Sequence, residues 1–61
     1  MKYFIKKTYS SGAEATEKTR DYARATHIFF NVVDAEESRG LISAELISGD
    51  GERLDFWRAR P

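Results

Sequence analysis

The sequence predicts a small α+β domain in which one helix packs on a mainly antiparallel four-stranded sheet, in the order β-α-β-β-β. Three observations support this fold class. The chain has 61 residues, enough for one domain over residues 1–61. Residues 2–9 and 41–60 are rich in side chains that favour strands. Between them lies a stretch rich in Ala, Glu, Lys and Arg, which favour helices.

The first strand is predicted at residues 2–9, which contain mostly aromatic and other β-favouring types. Ser10–Gly12 follows and predicts a turn. Side chains alternate between the two faces of a strand, so Phe4 faces away from Tyr3, Ile5 and Tyr9.

The helix is predicted over residues 13–25. Ser11 and Glu14 have the spacing of a capping box, in which a hydroxyl and a carboxylate accept amide hydrogen bonds at the first turn of a helix. Glu14 and Lys18 form a favourable i, i+4 pair. The apolar stripe is weak, which leaves an alternative open: the same stretch is a polar strand paired to the first strand through the Ser-Gly turn.

The second strand is predicted at residues 27–33, where bulky apolar types at nearly every position favour a strand buried on both faces. No Gly or Pro interrupts residues 13–39, so a second architecture is possible. In it, one long helix covers residues 13–33 between the first strand and a C-terminal hairpin. Residues 34–40 are polar and end in Gly, which predicts a turn.

The C-terminal hairpin is the clearest local pattern. Two strand-like runs, residues 41–48 and 53–60, flank a Gly-rich connection. Alternation places one apolar face on the first run, with partners predicted on the second: Ile42, Ala44 and Leu46 against Leu54 and Phe56. A helical crossover between the first two strands would make them parallel.

The formal net charge is zero, but the charges are segregated along the chain. Residues 1–9 contain three basic residues and no acidic one. Residues 10–52 contain four basic and nine acidic residues, and residues 53–61 contain three basic and one acidic. Whether this segregation matters depends on where the two basic ends lie in the fold.

Several classes of site are disfavoured, and we expect neither a cofactor nor a metal. The chain has no Cys and one His, which excludes disulfides and a four-ligand zinc site of the usual kind within one chain. Glycine-rich phosphate loops and the calcium-loop pattern are absent from the sequence. His27 stands in no catalytic motif, so an enzyme is not expected. No signal-like or membrane-spanning apolar run occurs, and we expect a cytoplasmic protein.

Protein interaction is the predicted function, as an adaptor, inhibitor or regulator. A strand that is apolar on both sides needs two covers, and one short helix supplies only one. An apolar and aromatic sheet face would then bind another protein or, as a homodimer, a second copy of the chain. The large aromatic residues Tyr3, Tyr9 and Trp57 are the predicted anchors, because such side chains dominate interface energetics.

Binding of single-stranded nucleic acid is the alternative function. Basic and aromatic residues alternate in both terminal strands, and the predicted contacts are Lys2, Lys6, Lys7, Arg53, Arg58 and Arg60. Two observations weigh against it. The net charge is zero, and strict alternation places Arg53 with Trp57 on the face opposite Arg58 and Arg60 unless a bulge intervenes.

Overall fold

The structure is a computed structural model that describes residues 1–60. Its strands are β1 (Tyr3–Tyr9), β2 (Glu14–Thr19), β3 (Leu41–Ser48) and β4 (Arg53–Arg58). The helix α1 (Tyr22–Glu36) continues into a 3-10 turn, Glu37–Arg39. The sheet order is β2-β1-β3-β4, and all three neighbouring pairs are antiparallel. The predicted fold class, one helix packed on a four-stranded antiparallel sheet, is confirmed.

The second element along the chain is a strand, so the helix predicted at residues 13–25 is wrong there and the polar-strand alternative is confirmed. Gly12, with φ of 90°, closes the turn: its N–H donates to the carbonyl of Tyr9 at 2.9 Å. Ser11 Oγ accepts only a local contact from the Ala13 N–H at 3.4 Å. Pairing with β1 along six positions outweighs the helix propensity of this stretch, which offers a helix little apolar surface to bury.

Residues 27–33 are helical, so the predicted strand is wrong at this position. The long-helix alternative is right here and wrong over residues 14–19. Helical spacing places Ala25, Phe29 and Val32 on one buried face and leaves Phe30 53% exposed. A single sheet face therefore covers the apolar side of this segment, whereas a strand buried on both sides would need two covers. The observed order is β-β-α-β-β, and β1 is antiparallel to β3 rather than parallel to the next strand in sequence.

The hydrophobic core lies between α1 and the two central strands. Its fully buried large side chains are Phe29 from the helix, Ile5 from β1, and Leu41 and Leu46 from β3. Ala25 and Ala44 are also buried, and their small size lets the helix approach the sheet closely. Burial of each large side chain stabilises the fold by about 1.5–3 kcal/mol.

The predicted C-terminal hairpin is confirmed, but the predicted facing residues are wrong. Ala44 lies opposite Trp57, and Leu46 lies opposite Asp55. The turn is closed by two backbone hydrogen bonds, in which the Ser48 N–H donates to the Glu52 carbonyl and the Gly51 N–H donates to the Ser48 carbonyl. The Ser48 hydroxyl donates to the Asp50 carboxylate. Loop geometry and a register shift between Leu46 and Ile47 set this pairing, which residue alternation alone does not predict.

Within residues 1–60, α1 and the short 3-10 turn are too short or too polar to span a bilayer.

Candidate interaction surface: the open face of the sheet

The sheet has one face covered by α1 and one face without a helix, which we call the open face. Alternation from the buried residues Ile5 and Leu46 identifies its side chains. They form three rows across β2, β1, β3 and β4. Row one is Lys18, Phe4, Ile47 and Arg53; row two is Thr16, Lys6, Glu45 and Phe56; row three is Glu14, Thr8, Ser43 and Arg58.

A β-bulge in β4 determines which side chains of that strand reach the open face. Between the pairs Leu46–Asp55 and Ile47–Arg53, Leu54 is the extra residue. Arg53 therefore lies on the same face as Phe56, and its guanidinium carbon is 4.7 Å from the Phe56 ring centroid. Arg53 Nη1 also lies 3.7 Å from Glu45 Oε2. Strict alternation, which places Arg53 with Trp57, is wrong because of this bulge.

Apolar side chains remain accessible on the open face. Phe56, in row two, is 43% exposed. Phe4 and Ile47, on the two central strands, are half-buried by their neighbours. The sequence contained a usable signal for Phe4, because it alternates with Ile5. The sequence contained no such signal for Phe56, because the face on which Phe56 lies depends on the register of the hairpin.

Charge is segregated by face as well as by position along the chain. The open face has four basic and two acidic residues, as the three rows show. Acidic residues predominate on the helix side, where Asp34 and Glu36 lie on α1 and Glu17 and Asp55 on the sheet. The basic terminal strands do not pair, since β3 lies between β1 and β4. Both strands nevertheless contribute basic side chains to one surface.

The three predicted anchor residues lie on the helix side of the sheet. Tyr3, Tyr9 and Trp57 are half-buried and pack against the core. The Tyr3 ring is 5.5 Å from the ring of Tyr22 on the helix. The structure brings none of them to the open face, and their role in partner binding stays a prediction.

The predicted nucleic-acid contacts divide between the two faces. Lys6, Arg53 and Arg58 lie on the open face. Lys2 flanks one end and lines a hollow with Lys18, Thr19 and Arg20, and Arg60 lines a second hollow at the other end with Arg58 and Ile42. Lys7 lies on the helix side.

Lys7 belongs to a polar cluster that joins β1, β2 and α1. Its Nζ donates a hydrogen bond of 3.1 Å to Glu17 Oε2 and lies 3.7 Å from Glu36 Oε2. The Tyr9 hydroxyl donates to the other oxygen of Glu36. Burial lowers the pKa of Lys7, but the hydrogen bond to Glu17 and the charges of Glu17 and Glu36 together raise its pKa above the usual value. These contacts engage Lys7 within the fold.

His27 is exposed on α1, and within residues 1–60 no three His, Cys, Asp or Glu side chains are grouped so that they could hold a metal ion. Comparison of the chain with protein-family models, with curated proteins and with solved structures finds no match.

Proposed function

We propose that this chain is a small cytoplasmic protein-interaction protein, an adaptor, inhibitor or regulator without catalytic activity, that acts through the open face of its sheet. One observation supports this most strongly. The helix covers a single face, while the opposite face presents Phe4, Ile47 and the 43% exposed Phe56. The absence of Cys suits a reducing compartment.

The composition of the open face is typical of an interaction surface. Apolar side chains near the middle of such surfaces provide most of the binding energy, while a polar rim excludes wrong partners. Here Phe4 and Ile47 form an apolar pair on the central strands at one end of the face, next to the oppositely charged Lys6 and Glu45. Lys18, Glu14 and Arg58 lie on the edge strands. A partner that binds only the folded chain would also stabilise it by mass action.

Site-specific photocrosslinking in the native host tests the proposal. A photoreactive phenylalanine analogue replaces Phe56 on the open face or, as a matched control, Phe30, which is 53% exposed on the helix. We expect protein adducts at position 56 and few at position 30. Equal labelling at both positions, or no protein adduct at position 56, would refute the open face as the binding surface.

A second candidate function, binding of single-stranded nucleic acid, is favoured by the bulge in β4. It puts Arg53, Phe56 and Arg58 on one face, with Phe4 and Lys6 on a neighbouring part of the same surface. Bases stack on such rings, and cations contact the phosphates.

The nucleic-acid function has a separate test. Titration of a labelled oligothymidylate at low salt should raise its fluorescence anisotropy, and the affinity should fall as salt is added. The Phe56→Ala variant should weaken this binding, whereas Phe30→Ala should not. No change in anisotropy with the wild-type chain at low salt eliminates this candidate.

A further inference from the structure

We infer that the open face binds a second copy of this chain, face to face, about a two-fold axis that runs parallel to the strands between β1 and β3. This inference rests on the proposed function, because it names the partner of the same surface. Such an interface is isologous: each contact occurs twice, once in each direction.

The two-fold axis determines which strands face each other. It places β1 over the partner's β3 and β2 over the partner's β4, while each row of the open face opposes its own copy. Stacked sheets lie about 10 Å apart, and the twist of each sheet crosses the strands at about 30°. Side chains at equivalent positions along the rows therefore come within reach of each other.

The rows are complementary under this symmetry. In row one, at one end of the face, Phe4 faces the partner's Ile47, so that apolar side chains of the two central strands meet. In row two, Lys6 faces the partner's Glu45. In row three, Glu14 faces the partner's Arg58. Opposite charges therefore meet in two of the three rows.

One like-charged contact arises, and it lies at the rim. Lys18 faces the partner's Arg53, and both belong to edge strands. Within its own chain Arg53 is already paired with Glu45 at 3.7 Å, which reduces the repulsion. Salt also screens charges at an exposed rim.

The charge pattern selects this axis over the other two-fold arrangement. An axis perpendicular to the strands would place each strand over its own copy. If that axis passed through row two, Lys6 would face the partner's Lys6, and Glu45 would face the partner's Glu45. Two like-charged pairs would then lie on the central strands, where screening by solvent is weakest.

The size of the open face predicts a moderate affinity. Four strands spaced about 4.8 Å apart and six residues rising about 3.3 Å each give a surface of roughly 19 by 20 Å. This footprint of roughly 380 Å² is smaller than the area of about 600 Å² or more per partner that stable, specific interfaces bury. We therefore expect dissociation in the micromolar range rather than a permanent dimer.

Charge exchange between Glu14 and Arg58 tests the symmetry directly. The two residues lie on β2 and β4, at opposite edges of the sheet, so they do not interact within one chain. Glu14→Arg brings two arginines together in a homodimer, and Arg58→Glu brings two glutamates together. In a mixture of the two variants, both row-three contacts regain opposite charges.

Sedimentation velocity over a micromolar concentration series measures the result. The wild-type chain should show a dimer, and each variant alone should dissociate about tenfold more readily. An equimolar mixture should regain the dimer. Arg24→Glu, an equal change of charge on the exposed side of α1, is the control and should leave the dimer intact. Circular dichroism should show that all variants are folded.

A wild-type chain that remains monomeric throughout the series overturns the inference, as does a mixture that fails to restore the dimer. These failures are distinguishable from failure of the proposed function. If position 56 still crosslinks a different protein in the host, the open face is an interaction surface with another partner. If it crosslinks no protein, the proposed function fails as well. Binding of the oligothymidylate by a monomeric chain would assign the face to nucleic acid.

Discussion

The hydroxyl of Tyr9 donates a hydrogen bond of 2.6 Å to Oε1 of Glu36, across 27 positions in the sequence. The other oxygen of the same carboxylate lies 3.7 Å from Lys7 Nζ. Two side chains of β1 thereby hold the last turn of α1 against the sheet. Just beyond this point the chain turns at Gly40 and enters β3.

Removal of this hydroxyl should destabilise the protein. Tyr9→Phe keeps the ring against the core but leaves the Glu36 carboxylate without one donor, so we expect a loss of about 1 kcal/mol in the free energy of unfolding. Urea denaturation followed by circular dichroism measures it. Tyr22→Phe, at a tyrosine that is 54% exposed, should change stability by less than about 0.5 kcal/mol. Equal losses for the two variants would contradict the role of the Tyr9 hydroxyl.

Stability should fall in alkaline solution. The hydrogen bond to Glu36, and to a lesser extent burial, raise the pKa of Tyr9 above its usual value. The folded chain therefore holds this proton more tightly than the unfolded chain does. The stability that this proton contributes is fully present below about pH 10, the ordinary pKa of tyrosine, and is lost as the pH rises through the higher pKa of Tyr9 in the folded chain. The raised pKa of Lys7 acts in the same direction.

Urea denaturation from about pH 8 to pH 11 checks the alkaline dependence, with each value compared between wild type and Tyr9→Phe. The difference in unfolding free energy between the two proteins should shrink at the upper end, because the wild type loses a contribution that the variant lacks. A difference that stays constant across this range would show that Tyr9 does not contribute to the alkaline loss.

Two adjacent phenylalanines should respond very differently to truncation. Phe29 is 2% exposed at the centre of the core, whereas Phe30 is 53% exposed. Phe29→Ala should cost about 3–5 kcal/mol. A core of this size supplies about 3–5 kcal/mol in total, so the variant should be largely unfolded by circular dichroism. Phe30→Ala should lose about 0.5–1.5 kcal/mol at most, from its edge-to-face contact with Phe29. A folded Phe29→Ala variant would contradict the assigned core.

Gly40 should tolerate a side chain less well than Gly12. Both have φ near 90°, a left-handed conformation in which a side chain is strained by about 1–3 kcal/mol. At Gly40 a Cβ would also lie 3.0 Å from Ser10 Oγ, whereas at Gly12 it would meet open space. Gly40→Ala should therefore lower the melting temperature more than Gly12→Ala does. The opposite ranking in a thermal melt would contradict the role assigned to crowding against Ser10.

Much of the sheet could be predicted from local sequence. The first strand and the hairpin were found because alternating β-favouring residues border turn-forming Ser and Gly, and those signals act over a few residues. The two middle elements were predicted wrongly. Glu14–Thr19 is a strand where a helix was predicted, because helix propensity is a weak preference that strand pairing overrides. Tyr22–Glu36 is a helix that includes the predicted strand at 27–33. Phe29 is buried, as predicted, but it lies on a helix and not on a strand, since an apolar run alone does not distinguish the two.

The candidate surface was less predictable than the fold. A sheet face without a cover was expected because residues 27–33 were predicted to be a strand that is apolar on both sides, and that strand is wrong. The open face exists for the other reason given, that a single helix covers one face of a small sheet. Phe4 could be assigned to the side opposite Ile5 from alternation. Tyr3, Tyr9 and Trp57 were expected to anchor a partner, yet they lie half-buried beside the helix.

Chain length, charge distribution and the strand character of both ends follow from the printed residues alone, because composition and short-range backbone preferences are local properties. Which middle segment became the helix depended on the core, since Ala25, Phe29 and Val32 are buried only when helical spacing turns them together toward β1 and β3. The meeting of Arg53 with Phe56 depended on the bulge at Leu54, because one extra residue in a strand reverses the face of every side chain that follows. Contacts between distant segments set that register, and they exist only in the folded chain.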